Sequence, residues 1–383
     1  MIDNIGVRGI DLISEMYEQQ AIHVEEFFET AAVDVPDDKR AVHLVREEYA
    51  VIDIEKTKFE VIGTSGLDFS VAVFLVASFT NRIGLVHFAR DKMVTHGMGS
   101  LISVLLENYE ADSDGVAAGA GARRRVGPVI EAHIVGGFQD PGNVCEGIVR
   151  QVLDVMMGSE ARFVIKLGCT GLLNDSSHNG NEEDMNGPRC ALFTSFCMDF
   201  KRNNGGNLNT KLSPVGTFED RGPGLTLRQT RLFNIPDEST VLPTTTVTDE
   251  NNFLWNAFCT DSDRFMIEPF VFDVLDRQSL GILLHLTHAN TDELIEFISE
   301  PKVSHHNFQV FIQDLAQVFR FLLKQPSPEQ IFKKRPLYFS IGKGGKKWVV
   351  QPYSRIVAPL VLPENQEKAE KEMPTHVHRT IYQ

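Results

Sequence analysis

The stretch VIGTSGLDFSVAVFLVA, from Val61 to Ala77, limits what this chain can fold into more than any other. It reads as a strand, a turn and a second, buried strand, since short runs of β-branched and aromatic residues between Gly, Ser and Asp clusters favour extended pairing. Further strands are expected at Tyr49–Ile54 and Ile83–Phe88, beside the strand at Ser70–Ala77. The connection SFTNRIG is short, so the strands at Ser70–Ala77 and Ile83–Phe88 pair antiparallel. Ser70 then opens one strand and His87 closes the next, which places the two side by side. A base must come within hydrogen-bond reach of the proton it removes, and this pairing supplies that reach. The same residue types also sit beside many sheets as plain structure, so the pattern alone leaves two readings open: a catalytic pair or a structural one.

Helical and strand patterns alternate along the rest of the 383 residues, which makes the chain mixed α and β, with enough apolar residues for a sizeable core. A helix is expected over THGMGSLISVLLENY, ending near Tyr109, and another over DPGNVCEGIVRQVLDVMM, where Val144, Ile148, Val152 and Val155 form one apolar stripe. VIEAHIVGGF and RFVIKLGCTGLLND read as strands, and CALFTSFCMDF as a strand between the polar loops SSHNGNEEDMNG and KRNNGGNLNTK. SLGILLHL is a further strand candidate, and Asn307–Lys324 is the clearest helix, stopped by the prolines of KQPSPEQIF. Three parts are expected: helix and connection over 1–45, a main domain over 46–340 with a break near 205–240, and a strand with a charged tail over 341–383.

The net charge of −15 argues against nucleic acid or an anionic membrane as main partner. The N-terminus lacks the pattern of a signal peptide, and no apolar run approaches the roughly 20 residues that span a bilayer. Five cysteines (Cys145, Cys169, Cys190, Cys197 and Cys259) without a CxxC pair read as reduced thiols, which fits a cytoplasmic or nuclear protein. His285 and His288, His305 and His306, and His376 and His378 have no cysteine or carboxylate at ligand spacing, so neither a metal nor any other cofactor is expected. EADSDGVAAGAGARRRVG lacks the Gly-Lys-Ser/Thr ending of a phosphate loop and reads as a surface insertion. The backbone N–H groups over Gly66–Ser70 are candidates for an oxyanion hole.

Four blocks in order, HIVGGFQD (133–140), CTGLLND (169–175), TFEDRGP (217–223) and LKQPSPEQIF (323–332), resemble the protein N-terminal asparagine amidohydrolase family over about residues 50–335. That family converts the side-chain amide of an N-terminal Asn to Asp. The resemblance implies a layered αββα fold related to bacterial glutamine deamidases of chemoreceptors and of a necrotizing toxin. In that group a cysteine attacks the amide, a histidine about seventeen positions later activates it, and a hydroxyl residue six positions before the cysteine orients the histidine. By resemblance Ser70 falls on the nucleophile, His87 on the base and Thr64 on the orienting residue. The family motif is similar to Gly-Ser-Asp-Asp-Ala-Thr-Thr-Cys, where this chain has GTSGLDFS. A hydroxyl needs a much better base than a thiol does. Two functions therefore stand side by side: an amidohydrolase of peptide and protein N-termini beginning with Asn, which feeds ubiquitin-dependent degradation, or an inactive homologue that binds such N-termini or other partners. A third, internal glutamine deamidation, follows from the wider group. Glu219 and Asp220 are candidates for the substrate's α-ammonium because a carboxylate is the natural partner of that charge. A turn held by Arg221 and Pro223 is the plainer reading of that block.

Overall fold

A computed structural model describes residues 12–36, 39–107, 109, 127–176, 189–202, 208–216, 222–233, 254–270, 281, 284–285, 308–324, 327–333, 335–342 and 348–351. The chain divides into a unit Met1–Val349 and a unit Val350–Gln383, and the description below concerns the first.

The hairpin legible in the sequence is the middle of the larger sheet. Strands β4 (Val71–Ala77) and β5 (Arg82–Phe88) pair antiparallel, with Ala72 opposite His87. β2 (Glu48–Asp53) flanks β5, and β6 (Val129–Gly136) flanks β4, both antiparallel. β7 (Arg162–Thr170) runs parallel to β6, and β10 (Trp255–Asn256) parallel to β2, which completes six strands. Successive strand residues point to opposite faces, so this sheet feeds two cores. Val73, Leu75, Val86 and Phe88 pack with residues of helices α2 (Val94–Leu106) and α3 (Val144–Gly158). Ala72, Phe74, Val76, Ile83 and Leu85 pack on the other side against a second sheet.

That sheet is β1 (Ala41–Leu44), β3 (Val61–Thr64), β8 (Phe196–Arg202) and β9 (Leu208–Pro214), in the order β1-β3-β8-β9. Val42, Leu44, Ile62, Phe196 and Met198 supply its inner face, while Ala41, Val61 and Cys197 lie in a small cluster with Val35 and Val215. The result is the expected mixed α+β layering, with helices on one face of the larger sheet and a second sheet on the other. Helix α1 (Leu12–Phe28) buries Ile13, Met16 and Val24. A smaller sheet of β11 (Phe258–Cys259), β12 (Arg264–Ile267), β13 (Leu337–Ile341) and β14 (Trp348–Val350) follows, and helix α4 (Leu225–Phe233) packs on α5 (Phe308–Lys324), with α6 (Pro328–Phe332) after it.

Several expectations are corrected. Residues 41–44 are not connection: they form β1, parallel to β3 and buried throughout. The second half of the polar loop KRNNGGNLNTK is β9, antiparallel to β8; its alternating half-exposed pattern hides an edge strand among polar residues. In SLGILLHL, Gly281, Leu284 and His285 are helical, because a short apolar run fits either period, and the rest lies outside the described residues. Helix α3 starts at Val144 rather than near Pro141: the Asp140 carboxylate accepts the N–H groups of Gly142, Val144 and Cys145, which satisfies donors at the helix entry. Residues 110–126 of the Gly/Ala insertion, His288, His305, His306, His376, His378 and the charged tail lie outside the described residues. No helix among the described residues is long and apolar enough to cross a membrane.

Candidate active site

Strand parity decides which side chains meet between the sheets. On β4 and β5 the residues facing the second sheet are 72, 74 and 76, and 83 and 85; counting on in twos reaches Ser70 and His87. Ser70 stands two residues before Ala72, the partner of His87, so it is a diagonal neighbour of His87 on the same face. On β3 the same count from Ile62 reaches Thr64, which faces the first sheet from across the core. Three strands therefore deliver three polar side chains to one place, all buried: Ser70 is 2 % exposed, His87 and Thr64 0 %.

The contacts are direct. His87 Nε2 lies 2.8 Å from Ser70 Oγ, and His87 Nδ1 lies 2.7 Å from Thr64 Oγ1. The Thr64 hydroxyl donates to the Leu44 carbonyl at 2.9 Å. With its one proton so used, Thr64 oxygen accepts from His87, which assigns the proton to Nδ1 and leaves the Nε2 lone pair facing Ser70. The Ser70 hydroxyl has a second acceptor, the Gly66 carbonyl, at 3.2 Å. Burial pushes the His87 pKa well below its usual value; the positive charge of Arg46, and repulsion from His43 when that ring is protonated, add to the shift. The imidazole is therefore neutral at physiological pH, the form able to accept a proton.

The surroundings explain how the chain holds this arrangement. The Glu47 N–H donates to the His87 carbonyl at 2.9 Å, and His43 Nε2 lies 2.9 Å from Ser65 Oγ. The loop leading to Ser70 leans on the end of β6: Gly137 N–H donates to the Leu67 carbonyl at 2.9 Å. Gly136 has φ +97°, and a Cβ there would stand 2.7 Å from Leu67 Cβ and 2.9 Å from the Ser70 carbonyl oxygen. Only glycine leaves room for the loop at that point. Asn174 locks the same turn, donating to the Gly137 carbonyl at 2.8 Å and the Phe193 carbonyl at 3.0 Å, while accepting from Phe193 N–H. Leu67 N–H donates to Thr194, which removes it from the expected oxyanion donors.

Behind the triad lies a buried ion cluster that sequence reasoning missed. Glu48 accepts from Arg228 Nε at 2.9 Å and from Arg228 Nη2, from Arg231 Nη2, and from the Val45 N–H at 3.0 Å. Arg228 Nη2 also donates to the His43 carbonyl at 2.7 Å. The two guanidiniums lie over the rings of Phe265 and Trp255, 4.4 and 4.2 Å from the centroids. Burial pushes the Glu48 pKa up, but Arg228, Arg231 and the Val45 N–H outweigh it and hold the carboxyl below its usual value. Gly222 makes the approach possible, since a Cβ there would stand 2.0 Å from Arg228 Nη1. The available signal was the spacing of the two arginines in LTLRQTRLF, one helical turn apart.

No cysteine replaces Ser70 at His87, because both imidazole nitrogens already face hydroxyls. Burial pushes the thiols of Cys145 and Cys197 up to about 12 and raises that of Cys169 as well. Glu219 and Asp220 lie outside the described residues. A cavity of about 210 Å³ lined by Tyr17, Phe138, Asp140, Asn143 and Glu146 is a separate feature, without Ser70, His87 or Thr64 in its wall.

A hydroxyl, a neutral imidazole and an orienting hydroxyl in one hydrogen-bonded line are the parts of an acyl-transfer site. The sequence pattern described as protein N-terminal asparagine amidohydrolase matches residues 31–350. The chain belongs to that family. No curated protein matches it. The amidohydrolase match spans all three strands of the triad, the Gly136–Gly137 turn, Asn174 and the arginine pair. Two of the blocks noted in the sequence, HIVGGFQD and CTGLLND, meet at the Asn174–Gly137 bond. A third, TFEDRGP, contains Gly222, the glycine that admits Arg228.

Proposed function

We propose that this member of the family deamidates N-terminal Asn with Ser70 as nucleophile, His87 as general base and acid, and Thr64 as the residue that orients His87. The observation that carries the reading is the continuous line of hydrogen bonds Thr64–His87–Ser70. Ser70 Oγ attacks the side-chain carboxamide carbon as its proton passes to His87 Nε2. The tetrahedral intermediate collapses when His87 returns that proton to the leaving nitrogen, so ammonia departs and an ester to Ser70 remains. Water then attacks the ester, His87 takes its proton, and the same proton goes back to Ser70 Oγ as Asp is released. No cofactor enters this cycle.

Burial makes the imidazolium expensive, so the developing oxyanion has to be held by nearby N–H donors, those around Gly66–Ser70 apart from Leu67. The substrate's α-ammonium requires fixed acceptors, for which Glu219 and Asp220 are proposed. The product is an N-terminal Asp, and the role that follows in the cytoplasm or nucleus is to feed ubiquitin-dependent degradation. The serine in the nucleophile's place favours one rival, a homologue that binds Asn N-termini without turning them over.

Ammonia release from peptides beginning with Asn decides between them. Release by the unaltered chain, abolished in Ser70→Ala, is the expected result. Release by Ser70→Cys alone means that pocket and base survive without a competent nucleophile, and the binding reading takes over. N-terminal acetylation of the peptide should cut its affinity about tenfold or more, the loss of a hydrogen bond to a charged group; equal affinity for both forms overturns N-terminal recognition.

A further inference from the structure

The line of hydrogen bonds does not stop at Thr64. The Leu44 carbonyl that receives the Thr64 hydroxyl belongs to the same planar peptide unit as the Val45 N–H, and the two point in opposite directions. The Val45 N–H is held by the Glu48 carboxylate at 3.0 Å. Glu48 therefore aims the Leu44 carbonyl at Thr64 through one rigid amide. On either side of that amide the chain is pinned again, at the His43 carbonyl by Arg228 and at the Glu47 N–H by the His87 carbonyl. The line reads Glu48 carboxylate, Val45 N–H, Leu44 carbonyl, Thr64 hydroxyl, His87 Nδ1–H, His87 Nε2, Ser70 hydroxyl.

We propose that Glu48 is the positioning residue of the triad, a buried carboxylate that acts on His87 through the Leu44–Val45 peptide and the Thr64 hydroxyl. A carboxylate placed directly on the imidazole would do the same work: it would select the tautomer with the proton on Nδ1 and favour the imidazolium when it forms. Here the peptide carries that influence, because hydrogen bonds in a chain polarise one another in a poorly screened interior. Arg228 and Arg231 keep the carboxylate ionised where burial alone would neutralise it.

The two arginines provide the control. Arg231 bonds Glu48 but none of the backbone between His43 and Glu47, whereas the carboxylate itself makes the Val45 contact. Arg231→Met removes a cation and leaves the line whole. Glu48→Gln combined with Arg231→Met leaves the net charge of the cluster as it was and removes the carboxylate from the line. Nitrogen-15 spectra of the imidazole report the tautomer directly. Arg231→Met should keep His87 in the Nδ1–H form, and the double variant should lower the ratio of Nδ1–H to Nε2–H by about tenfold, the scale of one hydrogen bond. The same ratio in both variants overturns the proposal. If the double variant does not fold, the unaltered chain decides: slow solvent exchange of the Val45 amide supports the link to Glu48, and exchange as fast as in an exposed loop overturns it. The tautomer arm needs no activity, so it stands or falls separately from the amidohydrolase reading on which the kinetic consequence rests. That consequence is a fall in kcat for Asn peptides in the double variant relative to Arg231→Met, with KM unchanged.

Discussion

Two buried polar groups lie back to back in this molecule, and burial acts on them in opposite ways. The triad of Ser70, His87 and Thr64 is neutral throughout: desolvation strips His87 of its proton and leaves a line of hydroxyls and imidazole. The cluster of Glu48, Arg228 and Arg231 is fully charged, because two guanidiniums on one carboxylate offset the cost of removing it from water. One group is a neutral line of hydrogen bonds and the other a set of fixed charges. The difference teaches that burial by itself does not choose between the neutral and charged states; the supply of counter-charge does. Segment 43–48 is the wall between the two and bonds to both.

The largest expected effect separates the two groups by activity. His87→Gln keeps a side chain able to hydrogen-bond both hydroxyls but has no base, and it should lower ammonia release by about a thousandfold or more, while the thermal midpoint changes little. A variant as active as the unaltered chain breaks the assignment of His87.

The next effect runs the other way. Glu48→Gln leaves two buried guanidiniums without their anion and should cost about 3–5 kcal/mol of stability, read from denaturant unfolding. A loss under about 1 kcal/mol, the range of surface pairs, shows that water reaches the arginines and that the contrast between the groups is smaller than their burial implies.

The smallest effect, counted per histidine and per pH unit, is a pH dependence that sharpens the same contrast. His43 is lowered to about 3 and His133 to about 4, each chiefly by burial, and His87 is also well below its usual value. The unfolded chain binds these protons below about pH 6.5, where the folded chain does not, so stability falls as the pH drops from there. Each histidine contributes up to about 1.4 kcal/mol per pH unit until its folded pKa is reached. Above about pH 6.5 this contribution is flat. In the rate profile of kcat/KM the acid limb of a free histidine near 6.5 should be missing, because His87 is already neutral in the free protein. An acid limb at that pH sinks the account of His87 as desolvated.

Much of the site was legible without coordinates. The apolar runs at 71–77 and 82–88 with a short turn between them fix an antiparallel pair, and an antiparallel pair with side chains of period two brings Ser70 to His87. Thr64 entered only by resemblance, since the residues between Thr64 and Ser70 are a turn whose path no local rule supplies. The peptide of Leu44 and Val45 reads as connection from sequence, because four residues give too little pattern for a strand. The arginines lie in a helix of nine residues, too short to announce its buried face, and the carboxylate partner of Arg228 is 180 residues away in sequence. Local chemistry, then, settled the central strands, the hairpin and the pair of residues that meet beside it. Tertiary structure alone decided what covers each face of the sheet, which tautomer His87 adopts and which carboxylate stands behind it. Those depend on desolvation and on contacts between segments far apart in the chain, and neither leaves a periodic trace in the sequence.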